Sequence, residues 1–290
     1  MSIESTGPNA EMIDYWNENS GERWVRHQSL LDGMIEPLGT LAMERTGVSS
    51  GERVLDVGCG CGQTCLQLAE RVGPDGTVRG IDISHPMLER ARERARQQGL
   101  DQVSFENADA QIHRLEPSST DLVFSRFGVM FFADPGAAFA NLRDALASGG
   151  RIAFACWQAL DRNPWLLVPL GAVAQHVPLP ERPEPGAPGP FSLADPERLR
   201  QVLDNAGYRG VQIEAEQREL VVGGRGPLDQ AIDFIFQIGP LATILREAGE
   251  RGTELLPVLR EAVREAVLPY TSAEGLRMPS ASWIVTARAR

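Results

Sequence analysis

The sequence predicts an α/β fold in which a twisted, mostly parallel sheet is covered by helices on both faces. Between about residues 53 and 157, short runs of apolar and β-branched residues alternate with longer stretches of helical periodicity. The helical stretches carry start and stop residues, and a chain of 290 residues can bury a large core. Strands and helices that alternate in this way form βαβ units, and such units build parallel sheets.

Seven strands are predicted. Five lie in the alternating region: Arg53–Val57, Thr77–Ile81, Val103–Glu106, Asp121–Ser125 and Arg151–Cys156. Two later runs, near 211–217 and 281–288, alternate apolar and polar residues, which is typical of strands with one solvated face. We expect these two to pair like a hairpin interrupted by a long insertion. The last strand would then be antiparallel in a doubly wound, Rossmann-like sheet.

Two helices have clear boundaries in the sequence. In "ISHPMLERARERARQQG", Pro86 stands in the first turn and Gly99 stands where the helix would end. In "DPERLRQVLDNAG", Asp195 is the predicted N-cap, Pro196 opens the helix and Gly207 ends it. Both helices fit between predicted strands.

The rest of the chain is predicted to surround this core. The expected division is an N-terminal helical lid segment (1–50), a core (51–160) completed by 191–222 and 279–290, and cap insertions at 161–190 and 223–278. Six prolines make 177–190 a stiff connector. The apolar helices of 223–278 either cover the ligand crevice, bury one another, or form a dimer interface.

Composition limits the partners. The formal net charge of −11 disfavours nucleic acid and anionic membranes, so we expect neither. No run of about 18 apolar residues and no secretory leader is recognised. Three of the four cysteines lie within seven residues, which does not suit a disulfide framework. We therefore expect a reduced, cytoplasmic protein that is a monomer or a homodimer.

The stretch "VLDVGCGCGQT" at 54–64 allows three interpretations: a metal site, a phosphate cradle, or a cofactor pocket that needs no phosphate. The cysteines supply three thiols with no fourth ligand nearby, whereas structural zinc takes four, so no metal is expected. A dinucleotide fingerprint needs a third glycine at Gln63, and no Lys-Ser/Thr pair follows as in a P-loop.

A cofactor pocket that needs no phosphate fits these residues best. Asp56 lies inside the predicted strand, where its carboxylate suits an amine or a cation rather than a phosphate. Gly58, Gly60 and Gly62 allow the backbone to approach a ligand and to expose N–H groups at the next helix, which suits a carboxylate. A ligand with an amino acid end and a sulfonium matches both features.

Acidic residues recur at the next two strand ends. Asp82 follows the second strand, where a carboxylate can accept from both ribose hydroxyls. Ile83 and Met87 would offer apolar walls to an adenine ring. After the third strand, Asp109 could accept from the adenine amino group and the Ala110 N–H could reach a ring nitrogen. Together these residues predict a nucleoside-binding crevice.

This succession resembles the class I S-adenosylmethionine-dependent methyltransferases, over about residues 50–157 and loosely in the two late strands. The resemblance rests on "VLDVGCGCGQT", "GIDIS" with "PMLERAR", "NADA", "DLVFSRFGVMFFADP" and "SGGRIAFACW", where the family usually has Pro-Gly-Gly at the start of the last motif. It is most similar to the small-molecule branch that includes quinone and sterol C-methyltransferase-like enzymes. The resemblance implies S-adenosylmethionine as cofactor, with Ser125–Phe127 near the sulfonium.

The implied reaction is in-line methyl transfer to an O, N or C atom of a small, partly hydrophobic molecule. His27 is the candidate general base, although a histidine on a helix surface is the simpler interpretation. Four aromatic residues are candidates for the acceptor pocket, or else for lid packing alone: Tyr15, Trp24, Trp157 and Trp165.

Two other functions remain open from the residues. One is an NAD(P)-dependent oxidoreductase, which the residue at Gln63 and the position of Asp56 disfavour. The other is a non-catalytic regulatory protein that binds the cofactor. A nucleic-acid methyltransferase is disfavoured because the fourth strand continues as Ser125-Arg126-Phe127-Gly128 instead of Asn/Asp-Pro-Pro-Tyr.

Overall fold

The computed structural model describes residues 3–179, 184 and 186–289. It contains one mixed sheet. Its strands are β1 (Arg53–Val57), β2 (Thr77–Asp82), β3 (Val103–Asn107), β4 (Thr120–Arg126), β5 (Leu146–Trp157), β6 (Tyr208–Val222), β7 (Thr271–Ser272) and β8 (Gly275–Ala289).

The α-helices are α1 (Ala10–Asn17), α2 (Asn19–Arg26), α3 (Gln28–Thr46), α4 (Gln63–Val72), α5 (His85–Gln98), α6 (Pro135–Ala145), α7 (Pro164–Val173), α8 (Pro196–Asn205), α9 (Leu228–Gln237), α10 (Pro240–Glu247) and α11 (Gly249–Val267). Short 3₁₀ helices span Val129–Phe131, Leu160–Arg162 and Leu268–Tyr270.

The sheet has the order β3-β2-β1-β4-β5-β8-β6, and β7 pairs with β8 at one end. The first five strands are parallel, whereas β8 is antiparallel to both β5 and β6. The predicted Rossmann-like sheet with an antiparallel last strand is therefore confirmed. The sequence prediction missed β7, which is only two residues long and so too short to show a periodicity.

Several strands are longer than their sequence patterns indicate. β6 and β8 each have 15 residues because they pair along almost their whole length. β5 begins at Leu146 and so includes the Ser148-Gly149-Gly150 stretch, which lies before the predicted strand Arg151–Cys156. Pairing with a neighbouring strand extends each of these segments beyond its own alternating run.

The predicted helix boundaries agree well with the structure. Gly99 ends α5 with φ 64°, and the Asp195 side chain accepts from the N–H groups of the first turn of α8. The apolar stretch near 231–248 is divided into α9 and α10 at Gly239, whose φ is 73°. Part of the proline-rich connector, at 180–183 and 185, lies outside the described residues.

Strand order determines where a ligand can bind. The chain leaves β1 toward β2 and β3 on one side, and β4 continues toward β5 on the other. Right-handed crossovers therefore put α4 and α5 on one face of the sheet and α6 on the opposite face. The carboxyl ends of β1 and β4 thus border the crevice at the point where strand order reverses.

The length and polarity of a helix decide whether it can cross a bilayer. Among the described residues, no single helix combines the length and apolar composition needed to cross one. Helices α9 and α10 meet those requirements only when taken together, and they are bent by 66°.

Candidate active site

The glycine loop after β1 is required by both conformation and packing. Gly58, Gly60 and Gly62 have φ values of 65°, 55° and 82°, which side chains rarely allow. A Cβ on Gly58 would lie 2.6 Å from Cα of Gly128, and one on Gly62 would lie 2.8 Å from Cβ of Ala91. The loop therefore brings the ends of β1 and β4 and the side of α5 into close contact at the crevice.

Asp56 is completely buried at the end of β1. Its Oδ2 accepts from the Thr64 hydroxyl at 2.5 Å and from the Cys65 thiol at 3.1 Å. Its Oδ1 has no hydrogen-bond partner among the described residues. Burial raises the pKa of Asp56 to about 6, and the nearby charge of Arg126 opposes that rise. A buried carboxylate oxygen without a partner is suited to a ligand donor.

Asp82 connects the glycine loop to the start of α5. Its Oδ2 accepts the Gly60 N–H at 2.7 Å and its Oδ1 accepts the Ser84 N–H at 2.8 Å. Burial raises the pKa of this carboxyl, and the backbone N–H donors oppose that rise. Met87 is buried with its methyl group beside Gly60, and Ile83 is half-buried. The predicted residues Gly60, Asp82, Ile83 and Met87 therefore lie together.

Asp109 and Ala110 follow β3 and are both buried. Asp109 Oδ1 accepts the Gln111 N–H at 2.9 Å. Both carboxylate oxygens also accept from the Asn9 side-chain amide, at 2.9 Å each. The Ala110 N–H has no hydrogen-bond partner in the part of the chain that the structure describes. Sequence reasoning missed Asn9, which is 100 residues away and belongs to no recognisable motif.

The end of β4 is held in an unusual conformation. The Ser125 hydroxyl donates to Val57 O at 2.7 Å and accepts the Gly128 N–H at 3.2 Å. Phe127 has a φ of 60°, which is uncommon for a residue with a side chain and tends to occur at functional sites. Its ring stacks on Trp157, with centroids 4.0 Å apart.

The four predicted pocket aromatics fall into two clusters. Trp157 contacts Trp165, with ring centroids 5.3 Å apart, and so extends the Phe127 stack. Tyr15 and Trp24 instead pack edge-on against Trp16, which also meets Phe131. The second cluster joins α1 and α2 to the 3₁₀ helix that follows β4.

His27 lies between α2 and α3, where these helices meet α9. Its Nε2 is 2.6 Å from Gln237 Oε1, and its ring packs edge-on against Phe234 at 5.9 Å. Phe234 and Trp165 both line a narrow apolar cavity between α7, α9, α10 and β6. Neither Phe234 nor Gln237 was identified from the sequence, because helical periodicity alone does not tell which face meets the N-terminal helices.

A buried group of charges joins α3 to the core. Asp32 of α3 lies 3.0 Å from Arg94 and 3.3 Å from Arg126, and all three side chains are at most 15% exposed. Arg126 also contacts the Gln63 side chain at the start of α4. These residues come from four separate elements, so no local pattern could have predicted their association.

The cysteines of the glycine loop pack against the sheet. The sulfur atoms of Cys59 and Cys65 would each lie 2.8 Å from a Cβ on Gly80 of β2. Burial raises the pKa of Cys59 to about 11 and that of Cys61 to about 12, so both remain neutral thiols. Within the described ranges, no group of three or more His, Cys, Asp or Glu side chains is arranged to hold a metal ion.

This chain is similar in sequence to known methyltransferases. A family model described as a methyltransferase domain matches residues 48–178. The aklanonic acid methyltransferase DauC of Streptomyces sp. (strain C5) is 37% identical over 180 residues, covering 59% of this chain and 81% of that protein. Nocamycin O-methyltransferase of Saccharothrix syringae is 35% identical over 118 residues, covering 41% of this chain and 42% of that protein.

One solved structure extends the comparison to the fold. Phosphoethanolamine N-methyltransferase 2 of Haemonchus contortus, in complex with S-adenosyl-L-methionine, matches with a TM-score of 0.53 at 18% identity. The match covers 88% of this chain and 53% of that one. At this identity the likeness shows the fold alone.

The sheet, the glycine loop and the three buried carboxylates together define an α/β protein built to bind a nucleoside. The similarity to aklanonic acid methyltransferase, which extends over 81% of that protein, shows the family. The chain belongs to the class I S-adenosylmethionine-dependent methyltransferases, and S-adenosylmethionine is its cofactor. The family predicted from the motifs is confirmed.

Proposed function

We propose that this protein is an enzyme that transfers the methyl group of S-adenosylmethionine to an O, N or C atom of a small, partly hydrophobic molecule. The observation that carries the proposal is the unpartnered Oδ1 of Asp56, buried beside two further strand ends that carry Asp82 and Asp109. When bound, the cofactor supplies a methyl group already activated by a sulfonium. The protein must then chiefly orient the reactants and exclude water.

The described residues fit this cofactor. Asp56 Oδ1 would accept from the amino group of the methionine part, and the Gly58–Gly62 loop would face its carboxylate. Asp82 would accept from the ribose hydroxyls. Asp109 would accept from the adenine amino group, while the unpartnered Ala110 N–H would meet a ring nitrogen.

Electrostatics supports the same placement. Three carboxylates, of Asp56, Asp82 and Asp109, are buried at adjacent strand ends. Their negative potential favours a ligand that carries a sulfonium. The ring faces of Phe127, which follows β4, and Trp157, which ends β5, would add a cation–π attraction.

The acceptor side is apolar. Trp165, Phe234 and neighbouring side chains of α7, α9 and α10 line the cavity next to the Phe127 stack. The cavity is too narrow to hold a molecule much larger than water, so it is the apolar character of its lining, and not its size, that supports an acceptor with a hydrophobic body. The names of two relatives, which act on aklanonic acid and nocamycin, also support a small-molecule acceptor.

We propose that residues 1–50 form a lid, and that 161–190 and 223–278 form the cap over the acceptor site. The contact between His27 and Gln237 supports this division, because it joins the N-terminal helices to α9 directly. Tyr15 and Trp24 would then close the lid through their packing on Trp16 and Phe131.

His27 remains the candidate general base for an acceptor that must lose a proton. With Gln237 Oε1 as its acceptor, His27 Nε2 would carry the proton and Nδ1 would be the basic nitrogen. A neutral imidazole held in one tautomer can take a proton in the transition state.

The comparisons give no support to an NAD(P)-dependent oxidoreductase or a regulatory protein.

The net charge of −11 speaks against nucleic acid and anionic membranes as partners. Four free, buried cysteines support a reducing cytoplasm as its location. A monomer or a homodimer remains our proposal for the assembly.

Calorimetric titration with S-adenosylhomocysteine tests the cofactor site. We expect wild-type protein to bind, Asp82→Ala to bind at least about tenfold more weakly, and Asp101→Ala, at an exposed turn, to bind like wild type. Transfer of labelled methyl to a panel of aromatic hydroxy compounds and carboxylic acids then tests turnover. Failure of the wild-type protein to bind, or binding of NADH in its place, would contradict the proposal.

A further inference from the structure

Asn9 connects the N-terminal segment to two strand ends of the crevice. It immediately precedes α1 and is only 3% exposed. Its side-chain amide donates to both carboxylate oxygens of Asp109, and its side-chain oxygen accepts the Ala133 N–H at 2.7 Å. The Asn9 side chain is therefore held from both ends between the segment after β3 and the segment after β4.

Gln111 completes the network around the same carboxylate. Its N–H donates to Asp109 Oδ1, and its Oε1 accepts from Asn9 Nδ2 at 3.2 Å and from the Asp134 N–H at 3.0 Å. Neither amide side chain can turn without breaking hydrogen bonds in a buried environment, which is unfavourable. The network thus holds the Asp109 carboxylate in one orientation.

The network leaves one hydrogen-bond acceptor position of the Asp109 carboxylate free. A carboxylate has about four lone-pair positions. The Asn9 amide occupies one lone-pair position on each carboxylate oxygen, and the Gln111 N–H occupies the second position on Oδ1. The remaining position is on Oδ2, so its direction depends on the orientation that Asn9 and Gln111 impose.

We infer that Asn9 is a positioning residue that directs the remaining acceptor of Asp109 to the adenine amino group, and that it thereby sets selectivity for adenine over hypoxanthine. The inference rests on the proposed function, in which Asp109 faces that amino group. Adenine presents a donor at this position, whereas hypoxanthine presents a carbonyl oxygen that a fixed carboxylate repels. A carboxylate free to rotate would escape this repulsion, so selectivity would fall.

The test is calorimetric titration of the full chain with S-adenosylhomocysteine and with S-inosylhomocysteine, its deaminated analogue. We expect wild-type protein to prefer the adenosyl ligand by about a hundredfold, and Asn9→Ala to lower this ratio about tenfold. Asn17→Ala is the matched control, because that amide ties α1 to Ile83 O and to the His85 N–H without touching Asp109. Asn17→Ala should weaken the binding of both ligands by the same factor and so leave the ratio of their affinities unchanged.

A double variant separates positioning from general loosening. If Asn9 acts through Asp109, adding Asn9→Ala to Asp109→Ala should not change the ratio further. The inference is overturned by an unchanged ratio in Asn9→Ala, by an equal loss of ratio in Asn17→Ala, or by tighter adenosyl binding in Asn9→Ala. The last result would mean that Asn9 occupies the place of the adenine amino group. A wild-type protein that binds neither ligand would contradict the proposed function, and the inference with it.

Discussion

The ring of Phe127 stacks on the ring of Trp157, with centroids 4.0 Å apart and planes inclined by 15°. Phe127 holds this position with a φ of 60°, and its N–H donates to Ala155 O at 2.9 Å. The left-handed backbone is unfavourable for a residue with a Cβ, and burial of the stacked ring offsets it. Strain is thus retained at the strand end that borders the proposed methyl-transfer site.

This strain predicts an inverted order of stability for two substitutions. Phe127→Gly and Phe127→Ala both lose the ring, but only glycine relieves the positive φ. We expect Phe127→Gly to be more stable than Phe127→Ala by about 1 kcal/mol in urea unfolding. At Phe139, buried within α6, the order should be the usual one, with alanine more stable than glycine by a similar amount. The same order at both positions would contradict the strained conformation.

Asp32 should matter more for stability than an exposed acidic residue with similar hydrogen bonds. Asp32→Ala leaves Arg94 and Arg126 largely buried without a counter-charge, and we expect a loss of about 3 kcal/mol in the free energy of unfolding. The matched control is Asp121→Ala, whose partner Arg53 is 2.8 Å away on a solvated surface. That change should cost at most about 1 kcal/mol, because exposed pairs contribute little. Equal losses would show that α3 is not held by this cluster.

Asp56 predicts a dependence of stability on pH. Burial raises its pKa from 3.8 to about 6, so between these values the folded state keeps a proton that the unfolded state has released. The contribution of Asp56 to stability is therefore present below pH 3.8 and is lost as pH rises through about 6. From about pH 4 to 7, the stability of the wild type relative to Asp56→Asn should fall by about 2 kcal/mol. Urea unfolding curves across this range, parallel for the two proteins, would contradict the raised pKa.

His27 predicts a loss of turnover without a loss of cofactor binding. For an acceptor that releases a proton, His27→Ala should lower kcat by about a hundredfold, while the Kd for S-adenosylhomocysteine stays unchanged. The control is His113→Ala, whose imidazole lies 2.9 Å from Glu106 of the edge strand β3. A kcat unchanged in both variants would leave His27 as a structural contact to Gln237.

Local features were predictable because their causes lie within a few residues. The helix boundaries at Asp195 and Gly99 and the strands β1 to β4 follow from patterns that span no more than a few turns of helix or one strand. The strand-end carboxylates were predictable for the same reason, since each directly follows or lies within an apolar run. The burial of these carboxylates and the identity of their hydrogen-bond partners could not be predicted from the sequence.

The sequence by itself determined the fold class and the family, and it located the strand-end residues that we propose for the cofactor crevice, since these depend on periodicity and on short motifs. Only the tertiary structure decided that Asn9 binds Asp109, that Asp32 joins Arg94 and Arg126, and that His27 meets Gln237. These pairs are separated by 62 to 210 positions in the chain, and side chains so far apart meet only through the packing of whole helices against the sheet. No local pattern encodes such packing.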